Sequence, residues 1–296
     1  MMNKKSRALG LPRLLILGCG DVGLRILPLL VGRFRVFALT SQPARCAALR
    51  AAGAVPLVGD LDQPDTLRRL SRLAPRVLHL APPPGEGQRD QRSRNLAAIL
   101  PEGTQLVYIS TTGVYGDCGG DWVDETRPTA PRNARAWRRV DAETALRAWA
   151  RRRAARLSIL RVPGIYGDGR LPLARLEQGT PALRAEDDVY TNHIHADDLA
   201  RISVAALWHG RPNRVYHASD DSQLRMGEYF DLVADAFGKP RPPRLARAAL
   251  AAQVSPMLLS FMSESRRLRN TRMKAELGVR LVYPDVSAAL KVLAPV

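Results

Sequence analysis

Apolar and polar positions follow one repeating rhythm over the first half of the chain. Arg13–Leu17 is a short apolar run that ends in glycines, and an amphipathic stretch continues to about Gly32: strand, turn, helix. Arg35–Leu39 reads as a second strand and Pro43–Ala52 as a second helix. Val55–Val58 is a third strand, followed by a helix over Asp65–Leu73 that Asp65 would cap. Arg76–Leu80 and Gln105–Ser110 make two further strands around a helix near Asn95–Leu100. The helix Ala136–Arg153 then leads into the strand Leu157–Val162. Strands alternating with helices at this spacing predict an α/β fold, a doubly wound parallel sheet covered on both faces. After Pro163 the rhythm loosens, with frequent Pro and Gly to Gly179 and a Pro-rich break at Arg241–Arg244. A smaller, mixed C-terminal region is predicted there, with helices at Asp197–Leu207, Met226–Phe237 and Arg272–Leu277.

Composition narrows the class without choosing a function. The 296 residues are 46% apolar and 25% charged, ordinary globular values. No stretch approaches the roughly 20 uncharged apolar residues of a membrane helix, so no membrane partner is expected. The basic start Lys4, Lys5 and Arg7 before Leu14–Leu17 and Cys19 has the outline of a lipoprotein signal. Its apolar core is too short, and Asp21 and Arg25 interrupt it. Cys19, Cys46 and Cys118 fit neither a disulfide framework nor a zinc cluster, which predicts a reducing, cytoplasmic setting. Lys and Arg outnumber Asp and Glu by 45 to 28, a net +17, and nearly all of the excess is arginine. Such a surface attracts anions. Aromatic residues are only 5% and do not interleave with the basic ones as a single-strand stacking platform would, so nucleic-acid binding is not expected.

The most specific signal is Gly18-Cys19-Gly20-Asp21-Val22-Gly23, a G-x-G-x-x-G between a predicted strand and a predicted helix. The first glycine allows the tight turn, the second admits a pyrophosphate to the backbone, and the third lets helix and strand pack closely. The free N–H groups of the helix start would face the phosphates. An NAD-selective site has an acidic residue at the end of the second strand. This chain has Thr40-Ser41-Gln42 there, with Arg45 shortly after. Ser41 and Arg45 could instead hold a 2′-phosphate, which favours NADP over NAD. The predicted dinucleotide-binding domain spans 1–163, with 192–220 returning to it. Residues 164–191 and 221–296 form the substrate-binding region.

Five further segments resemble the extended short-chain dehydrogenase/reductases, the NAD(P)-dependent epimerase/dehydratase family. They are Val58-Gly59-Asp60-Leu61, Leu78-His79-Leu80-Ala81, Ile109 to Asp117, Arg161 to Gly167, and Ile194 to Ala200. The resemblance implies that Asp60 and Leu61 contact adenine, that Leu80 and Ala81 lie beside the ribose, and that Pro163 lies near the nicotinamide. It also puts Thr111 in the family's Ser/Thr slot and Asp90 near its Asn slot. Arg135 and Arg139 fall where the family has Tyr and Lys, a pattern similar to an atypical subgroup with a degraded tetrad. Arginine stays protonated and cannot supply the proton that accompanies hydride transfer. Tyr115, Tyr166, Asp90 and His193 are the alternative proton donors. His193-x-His195 has metal-like spacing, yet lies within the family motif, so no metal is expected. A small-molecule, anionic substrate and a monomer or homodimer are expected. Two other functions stay open: a catalytically silent NADP-binding sensor or scaffold, and an arginine-rich polyanion binder on the same fold.

Overall fold

The computed structural model describes residues 10–294; the basic start at Lys4, Lys5 and Arg7 lies outside them. Seven strands form one parallel sheet: β1 (Arg13–Leu17), β2 (Arg35–Thr40), β3 (Val55–Val58), β4 (Arg76–His79), β5 (Gln105–Thr111), β6 (Arg156–Val162) and β7 (Arg214–His217). Their order across the sheet is β7-β6-β5-β4-β1-β2-β3. Strand order reverses beside β1, so a crevice opens at the carboxyl ends of β1 and β4, where doubly wound sheets bind ligands.

Period-two alternation sends Leu14 and Ile16 to one face and Leu15 and Leu17 to the other. On the first face they pack with Leu27 of α1 (Asp21–Leu30), Leu49 of α2 (Cys46–Ala51), Leu199 of α5 (Ala196–His209) and Met273 of α7 (Thr271–Leu277). On the second they pack with Leu96 of α3 (Gln91–Ile99) and with Leu146 and Trp149 of α4 (Ala134–Arg152). A separate apolar cluster gathers Leu183, Phe230, Val233 and Leu290 around α6 (Met226–Ala236) and α8 (Val286–Leu293). The short strand His193–His195 pairs in parallel with Gly164–Tyr166 and ties this C-terminal layer to the end of β6.

One predicted helix changes type. Pro64–Leu70 is a 3-10 helix whose start no side chain caps, and Asp65 pairs with Arg68 instead. Thr66 Oγ1 donates within bonding distance of the Gln63 carbonyl (2.7 Å) and the Asp60 carbonyl (3.0 Å), local bonds that compete with α-helical geometry.

Candidate active site

The glycine turn sits at the end of β1. Gly18 has φ of 75°, and a Cβ there would lie 2.5 Å from the Ala81 backbone, so close approach to the end of β4 demands glycine. Gly20 is different. A Cβ there would meet nothing nearer than the Gly18 carbonyl oxygen at 4.0 Å, so it borders open space. Helix α1 begins immediately, and no side chain caps its first turn, whereas Asp90, Asn133 and Asp285 cap α3, α4 and α8. Uncapped N–H groups at a helix start are ready donors for an anion. Asp21 is bound by Arg170 at 2.6 Å and Arg25 at 3.1 Å, which offsets its charge.

A cleft of about 270 Å³ extends from Gly18 and Cys19 over the ends of β2 and β3. Thr40, Ser41, Arg45, Asp60, Leu61 and Ala81 line it. Arg45 Nη2 donates to the Cys19 carbonyl at 2.8 Å, so its guanidinium bridges the second strand's exit and the glycine turn. Thr40 Oγ1 accepts from the Gln42 N–H at 3.1 Å, a neutral contact where an acidic residue would select a ribose hydroxyl. Cys19 is buried and its thiol is pushed up to about 11 by that burial. Val22, Gly23 and Leu80 lie behind the cleft. Val22 packs on the core, and a Cβ on Gly23 would meet Cys19 Sγ at 2.9 Å and Leu80 at 3.5 Å.

A second cavity, about 310 Å³, opens at the carboxyl ends of β5 and β6. Thr111, Arg135, Arg139 and Pro163 all line it. Thr111 Oγ1 accepts from the Gly113 N–H at 3.3 Å, which leaves its hydroxyl proton for another acceptor. Arg135, Arg139 and Glu143 recur at four-residue spacing on α4 and form one stripe toward the sheet. Arg139 is fixed by the Ile109 carbonyl at 2.7 Å and the Tyr108 hydroxyl at 3.0 Å. Burial lowers the pKa of Arg135, the Glu264 carboxylate opposes that shift, and Arg139 and Arg138 add to it.

The opposite wall comes from the C-terminal region, through Tyr190, Asn192, Glu264 and Arg266. Segment 264–268 is stitched across the fold to reach it. Arg267–Leu268 pairs in parallel with Trp122–Val123, the Ser265 N–H donates to Asp117 Oδ1 at 2.8 Å, and Asn192 bonds both Arg266 O and Leu268 N. Glu264 accepts from Arg266 at 2.9 Å and from Asn133 at 3.4 Å. Among the described residues lining this cavity, only Glu264 and Tyr190 carry a group that gains or loses a proton in ordinary catalysis. Neither carries a sequence motif. The nearest signal is Asn192, two residues before the recognisable Ile194–Ala200 segment.

The four alternative donors lie elsewhere. Asp90 does not line the cavity: it is buried, and its carboxylate accepts from the Ser93 N–H at 3.1 Å and the Ser93 hydroxyl at 2.8 Å. It is the N-cap of α3. Tyr115 is locked into a buried network. His217 Nδ1 faces the Arg269 carbonyl at 2.9 Å and must donate to it, so Nε2 accepts the Tyr115 proton at 2.6 Å. The Tyr115 oxygen in turn accepts from Arg161 at 2.7 Å, and burial pushes the phenol up to about 12. Arg161 pairs with Glu143 at 2.7 Å, both side chains about 5–6% exposed, and Glu143 also accepts from Ser110. Tyr166 faces Asp220 in the interior; burial raises both, Asp220 to about 7. His193 stacks on Tyr229 at 4.2 Å and is held neutral by burial, its pKa down to about 3.

The sequence model of the RmlD substrate binding domain family matches residues 91–282, about two thirds of the chain and most of the second cavity's wall. No curated protein matches the sequence significantly. Among solved structures, a functionally unknown conserved protein from Silicibacter pomeroyi is 32% identical, over 95% of this chain and 98% of that one, with a TM-score of 0.77. A suspected NAD-dependent epimerase/dehydratase from Methylobacillus flagellatus is 28% identical over 96% and 98%, with a TM-score of 0.71. The dTDP-glucose 4,6-dehydratase of Streptomyces venezuelae, solved with NAD bound, shares the fold at 20% identity over 94% and 96%, with a TM-score of 0.75. Sheet order, glycine turn, five motifs in sequence and the family match converge: the chain belongs to the RmlD substrate binding domain family, on the short-chain dehydrogenase/reductase fold of the epimerase/dehydratase type.

Proposed function

We propose that this chain is a nicotinamide-dinucleotide-dependent oxidoreductase of the epimerase/dehydratase type, preferring NADP, that acts on a small polar, anionic substrate. The reading rests on one observation above the others. Thr111, Arg135, Arg139 and Pro163, drawn from three separate segments, line a single cavity at the sheet edge that also carries the glycine turn. A sugar nucleotide, the substrate class named for the Streptomyces dehydratase, meets the requirement for a polar and anionic ligand.

The residues fit the cofactor. The uncapped start of α1 and the open space beside Gly20 suit a pyrophosphate, and Ser41 with Arg45 suits a 2′-phosphate. When bound, the dinucleotide supplies hydride exchange. The protein's part is binding and proton transfer. Arg135, Arg139 and Arg266 hold negative charge on the substrate, and Thr111 donates to the oxygen at the reacting carbon. Arg135 holds the position of the family's tyrosine without its chemistry, so Glu264 takes the proton from that oxygen or returns it.

A spectrophotometric screen with NADPH and NADP, sugar nucleotides and anionic carbonyl compounds tests this. Turnover is expected in the native protein, with Glu264→Gln at least about 100-fold slower, the usual size of a lost general acid–base. Dinucleotide binding should be unchanged in that variant, and Glu264→Asp should recover part of the rate. Binding of NADPH with no turnover across the panel would favour the silent sensor instead.

A further inference from the structure

The sheet's other edge, away from the active site, carries a second charged surface. Five of the seven parallel strands begin with arginine: Arg13, Arg35, Arg76, Arg156 and Arg214. Because every pairing is parallel, all five first residues lie on one edge, and the register sets Arg13 directly beside Arg35. The connections that enter these strands add Arg33, Arg72, Arg153 and Arg211. Against these nine arginines stand two carboxylates, the exposed Glu102 and the half-buried Glu276, an excess of seven positive charges; Glu276 binds Arg211 and Arg214. Arg13, Arg33, Arg35, Arg72, Arg153 and Arg156 are exposed and form no ion pair with another described residue.

Helix dipoles explain only part of this. Helices α1, α3, α4 and α5 end at the same edge, each with about half a negative charge, so together they offset about two of the seven. The remainder faces solvent in a line. Strands lie about 4.8 Å apart, and β2 to β7 is five steps, so the row is about 24 Å long. We infer that this edge binds the phosphodiester backbone of nucleic acid, without reading bases. A line of guanidinium forks matches a line of phosphates in both charge and geometry. Stacking, which the sparse aromatics could not supply, is not needed. A lipid surface fits less well. Leu11, Leu29 and Val31 are exposed there, but the helices meet the face end-on, and no amphipathic helix lies in its plane among the described residues.

The test is fluorescence anisotropy of a labelled mixed-sequence DNA duplex about two helical turns long, titrated with the full chain between about 50 and 200 mM salt. Binding is expected to weaken with salt at a log–log slope of about −4 to −5, near −0.9 for each phosphate neutralised. The triple variant Arg13→Gln/Arg35→Gln/Arg156→Gln should lose at least tenfold in affinity and flatten the slope by about three contacts, with its melting temperature unchanged. A control triple, Arg68→Gln/Arg184→Gln/Arg241→Gln, removes the same charge elsewhere and should change neither. Three results would overturn the inference: no duplex binding at low salt, equal losses in both triples, or binding only to vesicles of mixed anionic and neutral phospholipid.

Discussion

Arg45 and Gly20 show how far single residues carry a reading. Both belong to one local strand–turn–helix–strand unit, so their chemistry was legible in the sequence before any tertiary contact was known. Arg45→Ala is expected to weaken NADPH binding by tenfold to a hundredfold, the size of a lost charge-assisted hydrogen bond, and to leave NADH nearly unaffected. Parallel calorimetric titrations of the two nucleotides check it. Glu264 was not legible, because its place depends on a two-residue strand pairing with Trp122–Val123, too short to leave a periodic pattern. Asp220 was equally hidden. Burial raises it to about 7, so the folded state holds its proton up to that pH while the unfolded chain releases it near 4. Its contribution favours folding below about pH 4 and is lost as pH rises through about 7. Asp220→Asn should therefore gain stability relative to the native chain at about pH 8, by roughly 4 kcal/mol at most, and gain little at about pH 4. Chemical denaturation at the two pH values measures it.

At the scale of elements, α4 connects sequence to site most directly. Its start is one turn of accurate local chemistry: Asn133 caps the Ala136 N–H at 2.9 Å, and the helix begins at Ala134, two residues before the start read from periodicity. Its inner stripe then divides. Arg135 and Arg139 reach the cavity, while Glu143 closes the buried network with Arg161, Tyr115 and His217. Spacing shows that these residues share a face, but not that a cation 18 residues later, on the very next strand, meets the third of them. Arg161→Met strands the Glu143 charge in the interior and should cost about 3–5 kcal/mol in urea denaturation. Glu143→Gln added to that variant should restore part of the loss, since the unpaired charge is then removed. The Asp65–Leu73 segment shows the opposite case. Its apolar spacing suits a helix, yet the Thr66 hydroxyl bonds backbone carbonyls and the turn tightens to 3-10 geometry.

The whole molecule is organised by the direction of its sheet. Parallel strands put all carboxyl ends, and with them both clefts, on one edge, and put the strand-initial arginines on the other. Net charge was visible from composition, but its concentration on an edge appears only once seven strands run the same way. Global stability also has a direction in pH. His79, His193 and His217 are held neutral by burial, each down to about 3, whereas in the unfolded chain they charge near 6.5. Between those values the unfolded state binds more protons, so these groups make stability fall as pH drops below about 6.5. Asp220 opposes with one proton against three. The melting temperature is expected to be highest near neutrality and to decline toward about pH 4, as a calorimetric series would show.

We propose that the cleft beside the glycine turn holds a dinucleotide and prefers the phosphorylated one. The most direct test is a titration of the purified chain with NADPH and with NADH, following nicotinamide fluorescence, in the native protein and in Gly20→Ala. Saturable NADPH binding is expected, with NADH weaker by about tenfold or more, and a Cβ in the open cleft should weaken binding of both without any fall in melting temperature. Absence of binding, or equal binding of the two nucleotides that Gly20→Ala leaves untouched, would contradict the proposal.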